Sequence, residues 1–230
     1  MVVAMVTRRI LQLFIGLAMY GFSLALFIRA ALGLDPWDVF HQGLAGLSGF
    51  SIGTVVVVVS FLVLLLWIPL RQKPGFGTLA NAVLVGVFAD IGLALIPGFS
   101  HLGGQIAMLA GAVVLNAVAS ACYIGARFGP GPRDGLMTGL ARRTGWSVRL
   151  SRTLIEVLVL AVGWVLGGSV GVGTVVYALA IGPLVQLMLP WFMVPAALNG
   201  DGVAEDSGTP DALTAGSLAE DSREQDALRS

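Results

Sequence analysis

Apolar runs long enough to cross a bilayer recur six times along the chain, at approximately Ile10 to Ile28, Ile52 to Leu70, Thr78 to Pro97, Gln105 to Ala126, Arg149 to Gly168 and Val172 to Val194. A span needs about 20 mostly apolar residues to cross roughly 30 Å of hydrocarbon. No water reaches the bilayer core, so each run must satisfy its own backbone as a helix, including the valines of 55–59 that would favour a strand in water. Two further segments, Pro36 to Leu47 and Pro132 to Arg143, read as short helices of about a dozen residues, too few at 1.5 Å per residue to cross. They are expected to dip into the membrane and return, or to lie on its surface.

The polar and glycine punctuation between these runs repeats. Shifting the chain by 96 positions aligns Gly33, Pro36, Asp38, Gly43, Leu44, Ala45 and Ser51 with Gly129, Pro132, Asp134, Gly139, Leu140, Ala141 and Ser147, without a gap. The same shift aligns Gly75, Gly77, Thr78, Ala82 and Gly86 with Gly171, Gly173, Thr174, Ala178 and Gly182. Each unit reads as a long span, a Gly-Pro turn, a short helix, a second span, a G-x-G-T turn and a third span. Three crossings per unit would place the second unit upside down relative to the first. The expected fold is therefore an all-α polytopic membrane protein with six transmembrane helices and two short half-helices, built as an inverted tandem repeat. Residues 1–100 form the first unit, 101–196 the second, and 197–230 a disordered acidic cytoplasmic tail.

Composition agrees with a membrane protein: 57% of residues are hydrophobic and 11% charged, with a mean hydropathy of +0.90, more apolar surface than a soluble domain of this size could bury. The zero net charge is a cancellation, because eight of the thirteen acids fall after Asn199, and the chain before it is basic. With the N-terminus inside, Arg8, Arg9, Arg71, Lys73, Arg127, Arg133, Arg142, Arg143, Arg149 and Arg152 fall on the cytoplasmic side and only Arg29 outside, as the positive-inside rule requires. Thr7-Arg8-Arg9 resembles a twin-arginine signal, but the following run is span-length and lacks a small-residue cleavage site, so it reads as an uncleaved first span. Both termini are therefore expected to be cytoplasmic. The lone Cys122 supports neither an internal disulfide nor a cysteine metal cluster.

Much of the repeat has a local explanation. Proline suits the first helical position, and an acid two residues later can reach back to the exposed amides, so Asp38 and Asp134 read either as paired caps or as part of a solute or ion site. Asp35 and Gly131 are then the N-caps, as Ser51 and Ser147 are for the second spans. Gly33 and Gly129 permit the turn, and Gly43 and Gly139 allow close approach to a neighbouring span. Inside the spans, Asp90 and its repeat mate Gln186 stand out, since a carboxylate at a helix centre costs about 2.5–3.5 kcal/mol to insert and should face the bundle interior or water. Glu156 joins these candidates, although Arg152 one turn earlier offers a simple salt bridge. Tyr20 with Asn116 and Asn81 with Tyr177 are symmetric polar pairs suited to hydrogen bonding between spans.

Three patterns carry little weight. Gly167 to Gly171 matches G-x-S-x-G, on the same expected face as His41, His101, Asp35 and Asp38, but the nucleophile elbow needs a strand-to-helix turn. The two histidines lack metal-ligand spacing. Asp134 to Thr153 resembles a DNA-binding helix-turn-helix, yet its second helix continues as a span. No catalytic residue, metal, cofactor or nucleic-acid partner is expected, and there is no P-loop.

Gly131 to Met137, Arg152 to Glu156, Gly163 to Gly168 followed by Gly171 to Thr174, and Gly182-Pro183 resemble the YczE-like membrane proteins, related to the YitT group. Gly33 to Asp38 and Gln42-Gly43 fit as well. The resemblance covers about residues 8–195 and implies a bacterial inner-membrane protein of some six spans, without implying a substrate or reaction. The functional expectation is movement of a small solute or ion, with membrane lipid as surroundings. The alternative is a non-catalytic scaffold or regulatory subunit that binds a protein partner. Oligomeric state stays open.

Overall fold

The computed structural model describes residues 2–194; the expected acidic tail lies outside the described residues. Eight helices follow one another: α1 (Val2–Ala30), α2 (Pro36–Ser48), α3 (Ile52–Leu66), α4 (Phe76–Leu95), α5 (Leu102–Gly125), α6 (Pro132–Thr144), α7 (Val148–Val165) and α8 (Val172–Phe192). Among the described residues there is no strand. The Met5–Ala30 stretch of α1, α4, α5 and α8 are each long and apolar enough to cross a bilayer, and α2 with α3, bent by 114°, counts as a fifth crossing if the pair is one span. The other two expected spans differ for physical reasons. α3 has 15 residues, or roughly 22 Å of rise, and α7 carries Arg149, Arg152 and Glu156 in its first three turns.

The element boundaries recur at the spacing of the sequence repeat. α2 and α6 start at Pro36 and Pro132, α3 and α7 at Ile52 and Val148, α4 and α8 at Phe76 and Val172. Asp35, Gly131, Ser51 and Ser147 are the N-caps expected from sequence. The backbone repeats too. Ala31 and Arg127 have φ of 54° and 55°, Gly33 and Gly129 of 110° and 107°, Gly49 and Gly145 of 73° and 76°. Each G-x-G-T turn closes on the other half of the chain: the Gly77 amide donates to Phe128 O (2.8 Å) and the Gly173 amide to Leu32 O (2.7 Å). A Cβ on Gly33 would lie 2.5 Å from the Gly171 backbone nitrogen, so glycine is required there both by the left-handed φ and by the contact.

The centre is the antiparallel pair α1 and α5. Gln12 donates to Cys122 O (2.9 Å) near one end, and Asn116 Nδ2 donates to Ser23 Oγ (2.9 Å) nearer the other. Lipid tails are as apolar as the side chains, so helices associate through close packing and hydrogen bonds between them. The buried alanines 25, 30, 112, 117 and 119 allow such packing here. α4 runs beside α1 in the same direction, with Phe14 near Phe76 and Arg29 donating to Leu93 O. α8 likewise runs along α5, with Asn116 accepting from Tyr177 (3.4 Å) and Gln12 bridging Cys122 O and Phe192 O. Large apolar side chains such as Leu62, Leu158 and Leu179 point outward, as lipid-facing positions should.

The halves differ in one respect. α3 packs tightly on α4, whereas their repeat mates α7 and α8 make no comparable contact, and α7 leans on α2 instead. A Cβ on Gly53 would meet Gly86 O at 2.2 Å, yet a Cβ on Gly182, the mate of Gly86, would meet nothing within 4 Å. Gly43 allows the α2–α7 approach, its added Cβ being 2.8 Å from Gly163 O, while Gly139 faces Gln72.

Candidate functional site

The N-terminal ends of the two short helices meet inside the bundle. Pro36 opens α2 with a fixed φ, and Asp35 Oδ1 caps it by accepting from the Asp38 amide (2.8 Å). Because Asp35 is the cap, the Asp38 carboxylate is not spent on the amides as the sequence allowed. It accepts from Arg133 Nη2 (3.1 Å) at the start of α6 and lies 3.1 Å from His41 Nδ1. Arg133 Nη1 is also 3.8 Å from Asp35 Oδ2, and its guanidinium stacks over the Trp37 ring at 5.3 Å. Asp35 and Asp38 are 2% exposed at the side chain, and Arg133 19%. Arg133 therefore belongs to the interior cluster, not to the cytoplasmic surface to which the sequence count assigned it.

The mate of Asp38, Asp134, accepts from the Tyr123 hydroxyl (2.5 Å) at the end of α5. Trp67, at the end of α3, donates to Pro132 O (3.1 Å) and holds the start of α6 in place. On α7, Arg152 Nε donates to Glu156 Oε1 (2.9 Å), the salt bridge the sequence offered. Arg152, Glu156 and Tyr177 line a cavity of about 230 Å³ between α7 and α8, walled otherwise by Pro36, Ala178, Ile181 and Gly182. A smaller chamber of about 50 Å³ shares Pro36, Arg152, Glu156 and Tyr177 with it and is lined also by Asp35, Arg133 and Asp134. Of the sequence candidates, Asp134 and Glu156 thus line one chamber, and Asp38 lies beside it on the Arg133 guanidinium.

Asp90 and Gln186 do not join them. Asp90 Oδ1 accepts from the Gly53 amide (2.8 Å) and Oδ2 from Ser51 Oγ (2.6 Å), so it serves the N-terminus of α3 from across the helix pair. Gln186, its mate on α8, is exposed. Asp90→Ala is expected to lower stability by about 1–3 kcal/mol, the cost of stripping charged hydrogen bonds from a helix start, and Gln186→Ala to change it little; thermal unfolding in detergent, followed by tryptophan fluorescence, checks both. Two of the symmetric polar positions do hydrogen-bond between spans: Asn116 bonds Ser23 and Tyr177, linking α1, α5 and α8.

Ser169 sits in the α7–α8 turn, where its amide takes Gln42 Oε1 (2.6 Å) and its carbonyl the Leu34 amide (3.3 Å). His101 is the N-cap residue of α5 and meets the Phe99 ring edge to face, while His41 lies against Asp38. Among the described residues no group of three His, Cys, Asp or Glu side chains could hold a metal ion. Sequence reasoning passed over Arg133, Trp37 and Tyr123 as site residues. The usable signal was that Arg133 is the repeat mate of Trp37, so the two Pro-x-Asp motifs carry a cation and an aromatic ring, the two halves of a cation–π contact.

Long apolar helices around a buried charged cluster define an integral membrane protein of the helical class. The chain belongs to the family of unknown function DUF6198, which matches residues 7–190, and is YczE-like. The Bacillus subtilis uncharacterized membrane protein YczE is 35% identical over 77% of this chain and 83% of its own length. An uncharacterized protein of Haemophilus influenzae is 34% identical over 77% of this chain and 81% of its own, and the Bacillus subtilis uncharacterized protein YyaS 27% identical over 76% and 90%. No solved structure matches.

Proposed function

We propose that the protein carries a small solute or ion across the bacterial inner membrane through the site where α2 and α6 meet. The observation that carries this reading is the convergence of two half-helix N-termini, one from each half of the chain, on buried charges beside a cavity. Transporters use this arrangement because half-helix ends supply fixed dipoles at a central site about which related halves can rock. In this reading α3 and α7 complete six crossings, the halves form an inverted repeat, and both termini are cytoplasmic. Three features support it: the spacing of the elements, the opposite course of α1 with α4 against α5 with α8, and the basic residues Arg8, Arg9, Arg142 and Arg143.

Single cysteines in a Cys122→Ala background, in sealed vesicles with a membrane-impermeant thiol reagent, test it. Ser48→Cys and Thr144→Cys, at the exposed ends of α2 and α6, are expected to label from opposite sides. Ala178→Cys, on the cavity wall, is expected to label from both. Labelling of position 178 from one side only would leave no continuous route and favour a scaffold that binds a partner protein.

A further inference from the structure

Of the five carboxylates that precede Asn199, Asp35, Asp134 and Glu156 line one small chamber, and the buried Asp38 lies beside it. Glu156 pairs with Arg152 near the protein surface, whereas Asp35 and Asp38 share the single guanidinium of Arg133 and Asp134 is met by the Tyr123 hydroxyl. Surplus negative charge inside a bilayer is costly unless something positive joins it. Two buried polar atoms of the same chamber wall are also without a hydrogen-bond partner. Asp35 Oδ2 accepts none, its nearest cation being Arg133 Nη1 at 3.8 Å, and Trp37 Nε1 donates to nothing. An acceptor and a donor are thus left open two residues apart, on side chains that are 2% and 5% exposed by residue. Aromatic rings of Tyr20, Trp37 and Tyr177 surround them, a setting that suits a positive group. Beyond lies the wider cavity, where the α8 wall at Gly182 is empty.

We infer that this chamber binds a small organic ammonium compound bearing an oxygen acceptor, of the amino-alcohol kind. Its ammonium group donates to Asp35 Oδ2 and offsets the surplus charge, its oxygen accepts from Trp37 Nε1, and any further substituent extends toward Gly182. This identifies the cargo of the proposed transporter and rests on that reading for its role as cargo, though not for the binding itself.

The test uses the full chain in detergent and ethanolamine hydrochloride as probe, with sodium chloride and propionate salts at equal ionic strength as controls. Ethanolamine is expected to raise the melting temperature in a saturable way that the controls do not reproduce. Asp35→Asn should weaken its apparent affinity at least tenfold, and Trp37→Phe several-fold. Gly182→Leu narrows the neighbouring cavity and should weaken binding of amines with bulkier substituents more than that of ethanolamine. Absence of a saturable shift in the wild-type protein, an equal shift with sodium, or an unchanged affinity in a folded Asp35→Asn variant would overturn the inference. Flux in proteoliposomes separates the two readings. Ethanolamine binding without flux upholds the ligand and removes transport, and flux of another solute without amine binding does the reverse.

Discussion

Arg133→Ala is expected to leave a chain that inserts but is severely destabilised, because the guanidinium is the cation shared by Asp35 and Asp38 where α2 meets α6. Removing one partner of a buried ion pair leaves uncompensated charge and typically costs about 3–5 kcal/mol. That is a large fraction of the stability of an ordinary domain. Arg133→Lys should restore only part of it. An ammonium cannot reach both carboxylates in the fork geometry of a guanidinium and stacks less well on the Trp37 ring. Adding Asp38→Asn to Arg133→Ala should recover stability relative to the single change, since the unpaired charge is then removed as well. Melting temperature and detergent-extractable yield across the three variants check the series; wild-type behaviour of Arg133→Ala would mean that the charged cluster does not hold the half-helices together.

Gly33→Ala is the second change with a large expected effect. At φ 110° an L side chain is strained, at a cost of order 1–3 kcal/mol, and the new Cβ would also press on the Gly171 backbone at 2.5 Å. Backbone cannot swing aside as a side-chain tip can, so the G-x-G-T turn before α8 must shift. The mate, Gly129→Ala, has nearly the same φ, but its nearest contact, the Thr78 hydroxyl, is at 3.0 Å and so overlaps less than the 2.5 Å approach at Gly33. Both variants should lose stability in a detergent melt, with Gly33→Ala losing more. Equal losses would assign the effect to backbone strain alone.

The parts of this fold that were legible in the sequence are those governed by local chemistry. Proline at the first helical position, serine caps and left-handed glycines act within a few residues, so the starts of α2, α6, α3 and α7 and the spacing between the halves could be read directly, whereas α3 and α7 end three or four residues before the apolar runs do. The depth at which each helix starts depends on packing and could not. Asp90 looked like an isolated intramembrane carboxylate because its partners, Ser51 and Gly53, lie 39 and 37 residues earlier and come near only through the α3–α4 contact. Arg133 misled in the opposite direction, since a basic residue beside a loop usually marks the cytoplasmic face, while α6 carries it inward to Asp38. The open wall between α7 and α8 was hidden for a similar reason. Gly182 aligns with Gly86 in the repeat, yet only one of the two glycines has a helix against it.

The crossed closure of the two G-x-G-T turns bears on how the chain matures during synthesis. The amide of Gly77 finds its acceptor at Phe128, and that of Gly173 finds its acceptor at Leu32. A nascent chain that has emerged only as far as α4 therefore still lacks the carbonyl that closes its own turn. The first half waits for the second, and the second is completed by a loop made long before it. Each half thus presents an acceptor that closes a turn of the other. Two half-length chains produced together, parted in the α4–α5 connection, should thus assemble into one bundle, while either alone should be cleared by membrane proteolysis.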